Sequence, residues 1–164
     1  MERIKIKNLV NSRVSIEDPT TRVSIKWEKK GAIRTINKED LEQLVYLPGV
    51  EYMFREGVLD IVEPNREKIL VDLGLQEEDG SNKIIILSED EMKKMMSEVT
   101  SVSAFRKKVS ELPKEQVNEL VDYCVENKIL NYEKTDILKS KTGKDIYSMV
   151  RLRQANEEKT SEEE

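Results

Sequence analysis

The sequence predicts an α+β protein, a β-rich front followed by a series of short helices, and three observations point to it. Apolar residues alternate through Arg13-Val14-Ser15-Ile16 and Arg22-Val23-Ser24-Ile25-Lys26-Trp27, the two-residue period of a half-buried strand. From Ser88 onward the apolar spacing lengthens to three and four residues, the period of an amphipathic helix. Between them, residues 62–87 hold neither period and read as a junction. The expected organisation is a β-rich module over 1–87, a helical module over 88–155 and a disordered acidic tail over 156–164.

In the front module, Ile4-Lys5-Ile6 adds a strand ahead of the two alternating runs. Glu17-Asp18-Pro19-Thr20-Thr21 supplies a hairpin turn between those runs, because proline fixes its φ and Asp bonds the local backbone. Glu28-Lys29-Lys30-Gly31 makes the next reversal, where glycine tolerates positive φ, and Ala32-Ile33-Arg34-Thr35-Ile36 returns as a strand. At Asn37 the period changes. Glu39 and Asp40 stand in a first turn and Leu41, Leu44 and Val45 fall at helical spacing, so one short helix runs to about Leu47 and stops at Pro48-Gly49. Val58-Leu59-Asp60-Ile61 is a closing strand. Together these elements form a β-meander or a small, partly open barrel with one short helix. Ile69-Leu70-Val71 reads as either helix or strand, residues 77–82 as an exposed loop, and Ile84-Ile85-Ile86-Leu87 as a buried β-branched strand.

The helical module begins with Ser88 and Glu91 in capping-box spacing, and Met92, Met95, Met96 and Val99 share the face that follows. Phe105, Val109 and Leu112 form a second stripe ending at Pro113. The strongest helix is Lys114 to Asn127, with Val117, Leu120, Val121, Cys124 and Val125 in register. A further helix runs from about Tyr132 to Thr142-Gly143, and a last one begins near Lys144.

Composition narrows the chemistry. The chain has 164 residues, 37% apolar and 37% charged, and only 5% aromatic, which implies much surface for a modest core. With no histidine and one cysteine there is no Ser-His-Asp or Cys-His pair and no zinc site built on His or several Cys. Carboxylate, lysine or tyrosine chemistry and oxygen-ligated magnesium stay open, and no cofactor is expected. The formal charge of -5 disfavours a general nucleic-acid binder. Residues 1–75 balance 13 Lys+Arg against 13 Asp+Glu, whereas residues 76–164 carry 15 against 20, so the acidic excess lies in the back half. A single cysteine suits a reducing compartment, and the charged start, Glu2-Arg3-Ile4-Lys5, is no apolar signal segment. The expectation is a soluble protein of a host cytoplasm or a virion, without a classical export signal and without membrane attachment.

Several features invite a functional reading. Tyr52, Met53 and Phe54 in the front, and Met92, Met95 and Met96 in the back, are candidate partner interfaces if exposed, and core if not. Arg22, Lys26, Lys29, Lys30 and Arg34 surround Trp27 on one hairpin, the basic and aromatic mixture that contacts single-stranded nucleic acid, and equally the solvated face of a sheet. Segment 114–147 has the length of a helix-turn-helix, with Lys134, Lys139 and Lys141 as its phosphate contacts. Thr142-Gly143-Lys144 lacks the upstream glycine of a phosphate loop and reads better as a turn between helices. Asp79-Gly80-Ser81-Asn82, after Glu77 and Glu78, lacks the ligand spacing of an EF-hand. Cys124, mid-stripe on its helix, reads as core.

Leu112-Pro113-Lys114-Glu115-Gln116, Asn118-Glu119-Leu120-Val121-Asp122-Tyr123, and Asp136-Ile137-Leu138 with Thr142-Gly143-Lys144-Asp145-Ile146 resemble small virion or assembly proteins of tailed phages of Gram-positive bacteria. Val23-Ser24-Ile25, Gly31, Ile36 and Pro48-Gly49-Val50 extend the resemblance to the front half. It implies a structural or assembly protein acting through protein–protein contacts, with itself or with others, and it assigns no site residue. A small regulatory or host-interaction protein that touches nucleic acid through the Trp27 hairpin is the alternative.

Overall fold

The computed structural model describes residues 2–163, with side chains to residue 161. The chain is α+β and divides into two compact units, Met1–Ile86 and Leu87–Glu164.

The first unit contains all five strands among the described residues. β1 (Arg3–Asn8) alternates strictly, and its inward residues Ile4, Ile6 and Asn8 are fully buried. It is the middle strand of an antiparallel sheet ordered β4-β1-β5, where β4 is Ile33–Asn37 and β5 is Leu59–Ile61. Ile4 lies opposite Ile36 on β4, and Ile6 opposite Ile61 on β5, so the apolar faces coincide. β2 (Val14–Glu17) and β3 (Ser24–Trp27) pair with each other in a separate two-stranded sheet. The expected sequential pairing therefore holds for this hairpin, while β1 skips over it to meet β4 and β5. Both sheets are open, and they close no barrel.

The turn between β2 and β3 is built on Asp18. Its carboxylate accepts bonds from the Thr20 N–H and the Thr21 hydroxyl, which hold its pKa below the ordinary aspartate value. Arg22 sits at φ +60°, a left-handed position that costs a non-glycine residue energy.

The expected single helix of this unit is joined by two more. α1 (Lys38–Leu44) begins after Asn37 and buries Leu41 and Leu44. α2 (Val50–Arg55) follows Gly49, whose φ of +89° lets the chain reverse at its start. α3 (Arg66–Asp72) settles the ambiguous 69–71 segment as helix and buries Ile69 and Leu70. These helices cover one face of the strands, and their apolar residues join Ile4, Ile6, Trp27, Leu59 and Ile61 in one core.

Residues 84–87 form no strand. Three of their backbone groups are taken up by side chains instead of a neighbouring ladder. Gln76 Oε1 accepts the Ile84 N–H at 3.4 Å, Arg66 Nη2 donates to the Ile84 carbonyl at 3.0 Å, and Gln116 Oε1 accepts the Leu87 N–H at 2.7 Å. A β-branched run suggests a strand, and here side-chain partners take the Ile84 groups and the Leu87 N–H that a ladder would otherwise pair.

The second unit is five helices: α4 (Glu89–Met96), α5 (Val102–Glu111), α6 (Lys114–Glu126), α7 (Tyr132–Thr142) and α8 (Ile146–Glu163). The Ser88–Glu91 capping box forms as the spacing requires. α6 buries Val117, Leu120, Val121 and Cys124 on one stripe. The disordered tail expected over 156–164 is instead the end of α8 through Glu163, and Glu164 lies outside the described residues. After Gly143 the sequence has no glycine or proline to stop a helix. Glu157 also accepts ion pairs from Lys128 at 2.8 Å and from Arg153, one turn earlier, at 3.5 Å. Among the described residues no helix is long and apolar enough to cross a membrane.

Candidate functional site

Helical geometry separates the three residues of the Tyr52-Met53-Phe54 patch, because successive positions turn by about 100° around the axis. Phe54 enters the core at 1% exposure, Met53 packs half-buried against it, and Tyr52 points out at 55% exposure. Tyr52 therefore remains a candidate contact residue, whereas Phe54 is structural.

Tyr52 borders an open groove of about 570 Å³. One side is the α1–α2 connection, where Tyr46 is 90% exposed and Leu47, Pro48 and Gly49 follow. The other is the chain leaving α3 at Leu73, Gly74 and Leu75. Arg55 joins the two sides: its Nε donates to Glu51 Oε1 at 2.8 Å, and its Nη1 donates to the Leu75 carbonyl at 3.1 Å. The result is an open, mostly apolar trough lined by two exposed tyrosines, Tyr46 and Tyr52, with Arg55 bonded across it. Tyr46 escaped the sequence reading because it lies at the end of a helix otherwise accounted for by core positions.

Met92, Met95 and Met96 are all buried and line the inner face of α4, which corrects their assignment as a candidate interface. The i, i+3, i+4 spacing that made them conspicuous is the spacing of a core-facing stripe.

The hairpin reading is corrected in its central residue. Trp27 is fully buried, and its Nε1 donates to the Ile6 carbonyl at 2.9 Å, so its ring offers no stacking platform. Arg22, Lys26, Lys29 and Lys30 are exposed around it, and Arg34 is drawn across to the Lys26 carbonyl by its Nε at 2.8 Å. Sequence alternation placed Trp27 on one face correctly but could not say that this face is the inner one.

In the helical unit, Lys134 is not a surface phosphate contact. It is 1% exposed, and its Nζ donates to the carbonyls of Met95, Ser97 and Thr100 at 2.6, 2.7 and 2.7 Å, with the Phe105 ring 5.5 Å away. Burial lowers its pKa from the ordinary lysine value. Carbonyls at a helix C-terminus lack intrahelical donors and carry partial negative charge, and this ammonium caps the end of α4 from a distant helix. Lys139 is exposed and pairs with Asp145 at 3.4 Å, and Lys141 is exposed.

Thr142-Gly143-Lys144 is the turn after α7. Gly143 is left-handed at φ +75°, and its N–H bonds to the Lys139 carbonyl at 2.7 Å. Asp79 folds onto Ser81, accepting from both its N–H and its hydroxyl, and among the described residues no three His, Cys, Asp or Glu side chains gather to hold a metal ion.

A polar network in the first unit escaped the sequence reading. Arg66 Nε donates to Asp60 Oδ1 at 2.8 Å, its Nη1 reaches Glu67 at 2.9 Å, and Gln76 Nε2 donates to the other Glu67 oxygen. Burial raises the Asp60 pKa against the opposing pull of Arg66, whereas the Gln76 bond lowers that of Glu67. The network ties β5 and α3 to the extended segment after the 77–82 loop and serves structure.

Cys124 is fully buried, and that burial pushes its thiol up to about 12. A thiol so held is a poor nucleophile at neutral pH. Because the unfolded thiol ionises near 9.0, stability from this group is complete below pH 9 and is lost as pH rises toward 12. Between pH 8 and pH 10 the native chain should lose about 1.4 kcal/mol more stability than Cys124→Ala does, measured by urea unfolding at both values.

No family model matches this chain, and no curated protein and no solved structure shows significant similarity to it.

Proposed function

We propose that this chain is a non-enzymatic structural or assembly protein that acts through protein–protein contacts, in the setting of a phage particle. The tyrosine-bordered groove carries the reading. Tyrosine is enriched at interfaces because it buries a large rigid ring at small entropic cost while its hydroxyl stays hydrated. Here two such rings stand exposed in the lining of a mostly apolar trough that Arg55 ties to the Leu75 carbonyl. The first occupant to test is a segment of a second copy presenting an apolar side chain, and the resemblance to phage virion proteins supports a self-assembling subunit.

Light scattering over a concentration series tests this. The expected result is a defined oligomer that dissociates to monomer in Tyr46→Ser/Tyr52→Ser, with unchanged circular dichroism. A chain that is monomeric at every concentration, and absent from purified particles, would sink the proposal.

A further inference from the structure

Among the exposed surfaces, the outer face of the three-stranded sheet carries a row of three cations at the regular spacing of a strand. In β1 the residues between the buried isoleucines are Arg3, Lys5 and Lys7, so all three project from the face opposite the core. Their spacing along the strand is about 6.7 Å from one to the next. Cross-strand partners share a face, which sets Asn37, Thr35 and Ile33 of β4 beside Arg3, Lys5 and Lys7 in turn, and Asp60 of β5 on the other side of Lys7. Ile33 is 48% exposed, and Val62, whose N–H donates to the Lys5 carbonyl, is 41% exposed.

Surface lysines on a strand are commonly a guard against edge-to-edge pairing. That explanation does not apply here, since β1 is paired on both sides. Among the described residues Arg3, Lys5 and Lys7 form no ion pair. The carboxylates at the β5 margin are already engaged: Asp60 bonds Arg66, and Glu63 Oε1 accepts the Lys5 backbone N–H at 3.0 Å.

We infer that this face docks an acidic polypeptide segment of a partner, its carboxylates meeting the Arg3-Lys5-Lys7 row and its aliphatic side chains covering Ile33 and Val62. An extended chain running along β1 repeats its side chains at the same spacing as the row, so successive acidic residues meet successive cations. A nucleic-acid strand matches the charge less well in one respect: the strand positions facing outward carry no aromatic ring on which a base could stack.

The probe is a fluorescein-labelled peptide of glutamates interspersed with leucines, titrated with the full chain by fluorescence anisotropy at low and physiological salt. Binding should weaken as salt rises and fall by about tenfold or more in Lys5→Gln/Lys7→Gln. Arg106→Glu/Lys107→Glu, a larger charge change on exposed positions of α5, should leave it unchanged. Because Lys5 and Lys7 direct their side chains away from the core, the glutamine pair should retain the native circular dichroism. Absence of binding, or equal loss in the α5 variant, overturns the inference. Tighter binding of a single-stranded homopolynucleotide than of the peptide also overturns it, and reassigns the row to phosphate.

Discussion

Replacing Lys134 with methionine should destabilise the helical unit by about 3–5 kcal/mol, the largest effect expected of a single side chain in that half. Methionine fills much of the lysine stem's volume, so the loss is mainly of the ammonium and its three bonds to the carbonyls of Met95, Ser97 and Thr100. The buried Met95 carbonyl would then be short of a donor, and the part-buried Ser97 and Thr100 carbonyls would each lose one, a buried group so left costing on the order of 1–3 kcal/mol. Arginine should not restore stability, because its planar fork is too broad for a position 1% exposed. Urea unfolding followed by circular dichroism at helical wavelengths measures the loss. A change of under about 1 kcal/mol would show that the three bonds contribute no more than surface ones.

Trp27→Ala should cost the first unit a similar amount, about 3–5 kcal/mol, through lost apolar burial and the cavity left behind. Trp27→Phe retains part of the ring and removes the Nε1 donor to the Ile6 carbonyl together with the rest of the indole. Its expected cost is about 1–3 kcal/mol. As the only tryptophan, Trp27 also reports on its own surroundings. Its emission should be that of a ring shielded from water, resistant to iodide quenching and insensitive to added oligonucleotide. An emission maximum near that of free tryptophan would contradict a buried ring.

Much of the architecture was legible because it depends on local period. Ser88, Glu91 and the methionine stripe specify α4 by themselves, and the alternation at Val14-Ser15-Ile16 specifies a strand. The less legible parts depend on partners distant in sequence. Ile4-Lys5-Ile6 shows a strand but not that it would be central, because centrality comes from β4 and β5, which lie about thirty and fifty-five residues later. Ile84 to Leu87 resembles a strand until Gln76, Arg66 and Gln116 take its backbone bonds.

The candidate surfaces were half visible for the same reason. Tyr52 was named, but in company with Phe54, which period alone would have sent inward had the segment been read as helix. Lys134 offered a sharper clue, standing three and four residues before Ile137 and Leu138 on the apolar stripe of α7. A lysine on such a stripe needs acceptors inside the protein, and here those acceptors belong to the end of another helix. Asn8 is comparable: fully buried, it donates to the Ser12 and Lys29 carbonyls and accepts from the Val10 N–H.

The way the chain passes from one unit to the next bears on its ancestry and on its redesign. Ile84 is fastened on the first side by Arg66 and Gln76, and Leu87 on the second by Gln116, so only Ile85 and Ile86 lie between the two anchorages. A recombination event at this seam would leave the anchors of each half with the half they serve. A cut between Ile86 and Leu87 thus leaves Arg66 and Gln76 with the sheet unit whose last residues they hold, and Gln116 with the helical unit whose first amide it caps.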